Sequence, residues 1–229
     1  MSKVSGSHLI VESLKKEGIK NLFILAGDHI LPVLDVMADF EFKFYDTRHE
    51  QSAVHMADAW NRITGQPGVS MVTTPGHANA IPGLANALHH ESAVVHISGS
   101  AESENLGMGS MQEIDQVGMA APVVKGAWQV PSVARIPEYI AMAFRTALSS
   151  RKGPVHLTIP IDLQKSVIDE TDVRKYEPHE YRASNRIQAD RKNVDIAIKL
   201  LNAAEKPMIF AGPSAGYSAS PDQLSEFIE

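Results

Sequence analysis

Residues 50–73 read EQSAVHMADAWNRITGQPGVSMVT. Glu50–Thr64 has the length and make-up of a helix, and Gly65 behind it is a stop signal. Val69–Thr73 is a short, largely apolar run rich in Val, of the kind found in a strand buried on both faces. One helix handing over to one buried strand is the repeating unit of an α/β protein. The same alternation runs outward in both directions. Strand-like runs are Asn21–Leu25, Phe42–Tyr45, Ala93–Ser98, Val123–Trp128 and Val155–Ile159. Ser7 is a candidate cap for a helix ending at Glu17, with Gly18 behind it. Arg135–Ser149 spaces Ile140, Phe144 and Leu148 by four, a stripe that would face a sheet, and places Pro137 in the first turn, where a missing N–H costs little. The expected fold is a doubly wound, mostly parallel α/β sheet with helices on both faces.

The texture changes after Ile159. From residue 166 to 191 the chain is charged and polar with little apolar periodicity and reads as a linker. A second α/β start follows, with helix Asn193–Ala204 and strand Pro207–Ala211. The chain thus divides into a complete domain over 1–165, a linker over 166–191, and over 192–229 the incomplete start of a second domain, because one helix–strand–helix cannot bury a core.

Composition narrows the function. The 229 residues are 44% hydrophobic, with no apolar run near the ~20 residues of a membrane span. No basic, apolar leader opens the chain, and there is no cysteine, so a cytoplasmic setting is the default expectation and thiolate metal sites are excluded. The net charge of −6 comes without a Lys/Arg block, which argues against nucleic acid as a partner. A small-molecule substrate remains.

In open parallel sheets, ligands bind beyond the carboxyl ends of the strands. Those ends carry Gly27-Asp28-His29, Arg48-His49-Glu50, Pro75-Gly76-His77 and Ser98-Gly99-Ser100. Other motifs fall away. Gly212-Pro213-Ser214-Ala215-Gly216 fits G-x-S-x-G, but a nucleophile elbow needs a later histidine, and the last one is His179. Gly107-Met108-Gly109 lacks a third glycine, and no Walker sequence is present. The ten histidines form no H-x-x-x-H pair, so no histidine metal site is expected.

Arg48–Val69, RHEQSAVHMADAWNRITGQPGV, resembles the H-E-x-x-A-x-x-x-A-x-x-x-x-x-x-T-G-x-x-G segment of thiamine-diphosphate enzymes in the acetolactate synthase group. The likeness continues through TTPGHANAIPGLANAL, QEIDQVGMAAPVVK and GPVHLTIPIDLQ, so that it covers roughly residues 5–165. It implies the amino-terminal, pyrimidine-binding domain of such an enzyme. In that family the residue at Glu50 hydrogen-bonds N1′ of the aminopyrimidine and favours its imino tautomer, which takes the proton from C2 of the thiazolium. Thr73, Pro75, Gly76 and Asn79 match the pyrimidine-side loop, although the family usually reads G-P-G where this chain has Thr74-Pro75-Gly76. Ala53 and Ala57 match small helix-packing positions.

Benzaldehyde lyase and some 2-hydroxyacyl-CoA lyases have histidine at the position of His29 and glutamine at that of Gln112, both facing the substrate; acetolactate synthases usually have a glycine-rich turn at the first and Phe at the place of Met111. The resemblance thus implies thiamine-diphosphate-dependent cleavage, decarboxylation or ligation of C–C bonds next to a carbonyl, with acetolactate synthesis as one alternative and a catalytically silent dimerisation module as another. Glu50, His29 and Gln112 would carry the chemistry. Read apart from the family, Glu50 is a first-turn acid favoured by the helix dipole, His29 a cap for a helix over Ile30–Asp39, and Gln112 an exposed loop amide.

The family holds its diphosphate and Mg²⁺ with a G-D-G…N segment of a carboxy-terminal domain, whereas the Gly-Asp pair here, Gly27-Asp28, is followed by histidine. The chain is therefore expected to supply half a site, completed in a homodimer or homotetramer. It is expected to be a fragment or one part of a split enzyme, with FAD or ADP possible in the central domain.

Overall fold

The computed structural model describes residues 2–182, 188–212, 215 and 221–229. The chain divides into two compact units, Met1–Arg182 and Ala183–Glu229.

The first unit opens with β1 (Lys3–Ser5) and α1 (Gly6–Lys16), followed by β2 (Asn21–Ile24), α2 (Leu31–Met37), β3 (Lys43–Asp46) and α3 (Glu50–Thr64). Next come β4 (Gly68–Val72), α4 (Gly76–His89), β5 (Val94–Ser100), α5 (Gln116–Ala120), β6 (Ala127–Gln129), α6 (Ile136–Leu148) and β7 (Val155–Pro160). Strands β2 to β7 form one six-stranded sheet in the order β3-β2-β4-β5-β7-β6. Every neighbouring pair in it is parallel. The expected doubly wound sheet is thus the observed one.

Period-two alternation along the strands builds two cores. Val69, Met71, Val95, Ile97, Val155 and Leu157 pack with residues of α1, α2 and α6. Phe23 and Val94 pack on the other side with Ala53, Val54 and Ala57 of α3 and Ala80, Leu84 and Ala87 of α4. In α6 the stripe read from the sequence buries Ile140 and Phe144, each contributing about 1.5–3 kcal/mol of apolar burial. Helix α3 stops where the sequence places its end: Gly65 has φ of 72°, a left-handed cap that favours glycine.

Several boundaries move. The cap of α1 is Ser5, which accepts from the His8 N–H, while Ser7 lies inside the helix and donates its hydroxyl to the Gln164 carbonyl at 3.0 Å. The apolar stretch from Val123 is strand only from Ala127, where pairing with β7 begins; Ala121–Val123 is a 3₁₀ turn. The segment read as linker from 166 belongs to the first unit up to Arg182. It contributes β8 (Val167–Asp169), which pairs antiparallel with β1, and after it α8 (Pro178–Tyr181); α7 (Ile161–Lys165) precedes both.

In the second unit, α9 (Arg191–Ala203) answers the expected helix and α10 (Pro221–Ile228) follows it. Residues 207–211, expected as a strand, take no regular structure, since no neighbouring strand pairs with them among the described residues. The Ser214 turn lies outside the described residues. No described residue of this unit is buried, and Ile196, Leu200 and Phe210 are exposed.

Candidate functional site

The carboxyl edge of the sheet is built from the loops that follow β2, β3, β4 and β5. After β3, His49 adopts extended backbone and its ring accepts from the Gln51 N–H, so that α3 begins at Glu50. This holds the Glu50 carboxylate at the positive end of a fifteen-residue helix. After β4, Pro75 is the N-terminal flank of α4 and its carbonyl accepts from the Ala78 N–H at 2.8 Å. That start places Gly76 and Asn79 against Glu50. Asn79 Nδ2 donates to Glu50 Oε2 at 3.0 Å. Glu50 Oε1 lies against Gly76, where a Cβ would displace the carboxylate from this position. Oε1 accepts no hydrogen bond among the described residues.

A second group forms after β2. His29 sits in a 3₁₀ turn, Asp28–Ile30, that leads into α2, so the helix expected over 30–39 spans Leu31–Met37. Its N–H donates to Thr73 Oγ1 at 3.2 Å and its carbonyl accepts from Gln164 Nε2 at 2.8 Å. The residue is buried, and its Nδ1 has no hydrogen-bond partner. Burial pushes the imidazole pKa down; Asp28 opposes the shift and Lys165 adds to it.

Gln112 stands outside both groups. It is exposed, with φ of 61°, in a loop that Glu113 closes by accepting from the N–H groups of Gly107 at 2.5 Å and Ser110 at 3.0 Å. Those two bonds hold the Glu113 carboxyl below its ordinary range. No hydrogen bond joins Gln112 to Glu50 or His29 among the described residues. A cleft of about 490 Å³ lies beside this loop, lined by Ser100, Leu106, Glu113, Gln116, Gln129 and Thr158.

Two features escape a reading of the sequence. Gln116, the first residue of α5, is buried and ties the loop after β4 to the end of β5: its Nε2 donates to Thr74 Oγ1 at 2.5 Å and to the Gly99 carbonyl at 3.0 Å, while Oε1 accepts from the Ser98 hydroxyl. The second is a polar patch on the sheet face under α4 and α5. Register sets Ser70 beside His96 and His96 beside His156 on adjacent strands. His77, from the first turn of α4, stacks on His96 with centroids 5.3 Å apart and packs tilted against His156 with centroids 4.1 Å apart. All three histidines are fully buried. Burial lowers the pKa of His77 to about 4 and those of His96 and His156 well below the ordinary value, so the rings are neutral near pH 7. One nitrogen of each ring comes within 4.8 Å of the others, a convergence from three separate elements that no local spacing announces.

Comparison with known proteins agrees with this geometry. Residues 4–119 match the family model "Thiamine pyrophosphate enzyme, N-terminal TPP binding domain". The chain is 32% identical over 235 residues to a probable acetolactate synthase large subunit of Methanocaldococcus jannaschii, covering 99% of this chain and 39% of that protein. It is 34% identical over 235 residues to the acetolactate synthase isozyme 3 large subunit of Escherichia coli and to the acetolactate synthase large subunit of Haemophilus influenzae, covering 100% of this chain and 40% of each relative. The chain therefore spans about two fifths of the length of these relatives. With Glu50, Gly76 and Asn79 gathered at the carboxyl edge of a parallel sheet, the chain belongs to the thiamine pyrophosphate enzymes, in the group that includes the acetolactate synthases, and carries their N-terminal TPP binding domain.

Proposed function

We propose that this chain furnishes the aminopyrimidine half of a thiamine-diphosphate site in an enzyme that makes or breaks C–C bonds next to a carbonyl. The observation that carries the reading is the Glu50 carboxylate, held on one oxygen by Asn79 and open on the other beside Gly76. An acceptor fixed on one side and available on the other suits a ring nitrogen with which a proton is shared. The bare Cα of Gly76 leaves a shallow cradle that a side chain would fill. When bound, the cofactor supplies an acidic carbon and an electron sink. Glu50 would hold the proton at the pyrimidine ring nitrogen, and Asn79 would fix the carboxylate's plane. The unpartnered Nδ1 of buried His29 would hold or pass a proton at the substrate hydroxyl.

The diphosphate and its Mg²⁺ need hard oxygen ligands, which this reading assigns to a separate domain, brought by a second copy in a homodimer or homotetramer. FAD or ADP would belong to the central domain. Substrates of the lyase type are 2-hydroxy ketones, 2-hydroxyacyl-CoA or 2-keto acids. A second reading, acetolactate synthesis from 2-keto acids, is favoured by the names of the relatives.

The complete enzyme, with thiamine diphosphate and Mg²⁺, should be offered a benzoin-type 2-hydroxy ketone and pyruvate in parallel, with products followed by NMR. Cleavage of the ketone to aldehydes supports the lyase reading. Acetolactate from pyruvate alone selects the second. Absence of turnover with both, together with no proton exchange at the cofactor's C2, overturns the proposal.

A further inference from the structure

The patch formed by His77, His96 and His156 has no part in the reading above. One nitrogen from each ring lies within 4.8 Å of the corresponding nitrogens of the other two. The outward nitrogens are each engaged by an oxygen. His77 Nε2 donates to the Gln116 carbonyl at 3.0 Å, which leaves the lone pair of that neutral ring on Nδ1. His96 Nδ1 is 2.8 Å from Ser70 Oγ, and His156 Nε2 is 2.8 Å from Thr158 Oγ1. Among the inner nitrogens, His96 Nε2 is 3.2 Å from His77 Nδ1, and His156 Nδ1 is buried with no close hydrogen-bond partner, the His96 backbone being the polar group that raises the ring's pKa. Imidazoles whose second nitrogen is fixed by a hydroxyl or carbonyl are the usual construction of metal ligands.

We propose that His77 Nδ1, His96 Nε2 and His156 Nδ1 bind one borderline transition-metal ion of the zinc class. The donor set is three neutral nitrogens with no carboxylate or thiolate, which suits Zn²⁺, Co²⁺ or Ni²⁺ and disfavours Mg²⁺ and Ca²⁺. Binding needs no redox partner and releases no proton from the rings. In the metal-free stack His96 Nε2–H donates to His77 Nδ1. On binding, that proton sits instead on His96 Nδ1 and is donated to Ser70 Oγ, which frees Nε2. His156 keeps its proton on Nε2, toward Thr158. Zn–N bonds of about 2.0–2.1 Å set nitrogen–nitrogen edges of about 3.3 Å, so the rings draw inward by side-chain rotation, and water or hydroxide completes the tetrahedron. The ion would pin α4, which carries Gly76, to strands β5 and β7.

The test uses the 229-residue chain stripped with chelator, then titrated with Zn²⁺ by calorimetry and with Co²⁺ by visible absorption. One equivalent of Zn²⁺ should bind, and Co²⁺ should give the intense bands of a four-coordinate site. Ser70→Ala, which removes only an outer partner, should weaken binding by roughly 10–100-fold. His96→Gln and His156→Gln should weaken it further, while His89→Gln, on the exposed end of α4, should change nothing. Should the two ligand variants fail to fold, the Ser70→Ala result and the Co²⁺ spectrum decide. No saturable one-equivalent binding, a six-coordinate Co²⁺ spectrum, or binding unmoved by Ser70→Ala and lost in His89→Gln would overturn the proposal.

Discussion

Asn79 Nδ2 donates to Glu50 Oε2 at 3.0 Å, joining the first turn of α4 to the first residue of α3 across the carboxyl edge of the sheet. Both partners are half-buried or more exposed, so the bond's value lies in orientation more than in stability. A hydrogen bond to a charged group is worth about 1.5–3 kcal/mol, so Asn79→Ala in the complete enzyme should slow proton exchange at the cofactor's C2 by roughly 10–100-fold. The melting temperature should move little. Deuterium loss at C2, read by NMR, checks it, and unchanged exchange would remove Asn79 from the positioning role.

Glu50→Gln keeps the shape and the Asn79 contact but cannot share a proton. Exchange at C2 should fall by ~10²–10⁴-fold, the range for losing a positioned acid–base group. The loss should exceed that of Asn79→Ala, because the group itself is gone. Exchange within threefold or so of wild type would return Glu50 to the role of a first-turn acid.

What the sequence made legible follows the physics of each element. Helix α6 was readable because Ile140 and Phe144 repeat at helical spacing, and α3 because Gly65 marks its end with a positive φ. Helix α4 was hidden: Pro82 sits in its interior, where it removes the bond to the Ala78 carbonyl and imitates a loop. Strand β8 was hidden because three residues pair only with the distant β1, a partnership no window contains. The site divides the same way. Glu50, Gly76 and Asn79 could be named from the family pattern, but the buried polar patch depends on strand register. Ser70, His96 and His156 are 26 and 60 positions apart in the chain and become neighbours only when β4, β5 and β7 align.

That patch also sets a pH dependence in the metal-free protein. The folded-state pKa of His77 is about 4, and those of His96 and His156 lie well below 6.5. In the unfolded chain each titrates near 6.5. Lowered histidine pKa values mean that the unfolded state binds more protons, so stability is fully present above about pH 6.5 and falls as the pH drops from there toward the folded values, below which the loss levels off. Urea midpoints measured with chelator at pH 7, 6 and 5 should fall steeply. In His156→Gln, which removes one of the three groups, the fall should be shallower. Equal slopes in both proteins would contradict the assignment.

His29 offers the sharpest division between a chemical and a structural role. Its backbone is fixed on both sides, by the N–H to Thr73 and the carbonyl to Gln164, and neither bond uses the imidazole. His29→Ala should therefore leave the 3₁₀ turn in place, along with the neighbouring Thr73 loop. A group that titrates near neutral pH is the usual choice for passing a hydroxyl proton, but burial lowers this ring's pKa. The neutral imidazole then predominates at pH 7 and acts as an acceptor first. In the complete enzyme, C2 exchange should survive His29→Ala because Glu50 governs it. Turnover should drop by ~10²-fold or more, since the step that forms or breaks the carbon–carbon bond loses its proton carrier. A purely structural His29 gives the opposite pattern, with a lower melting temperature from the lost buried ring and turnover per folded molecule intact. Turnover, exchange and melting measured on one preparation separate the two, and intact turnover would falsify the catalytic assignment.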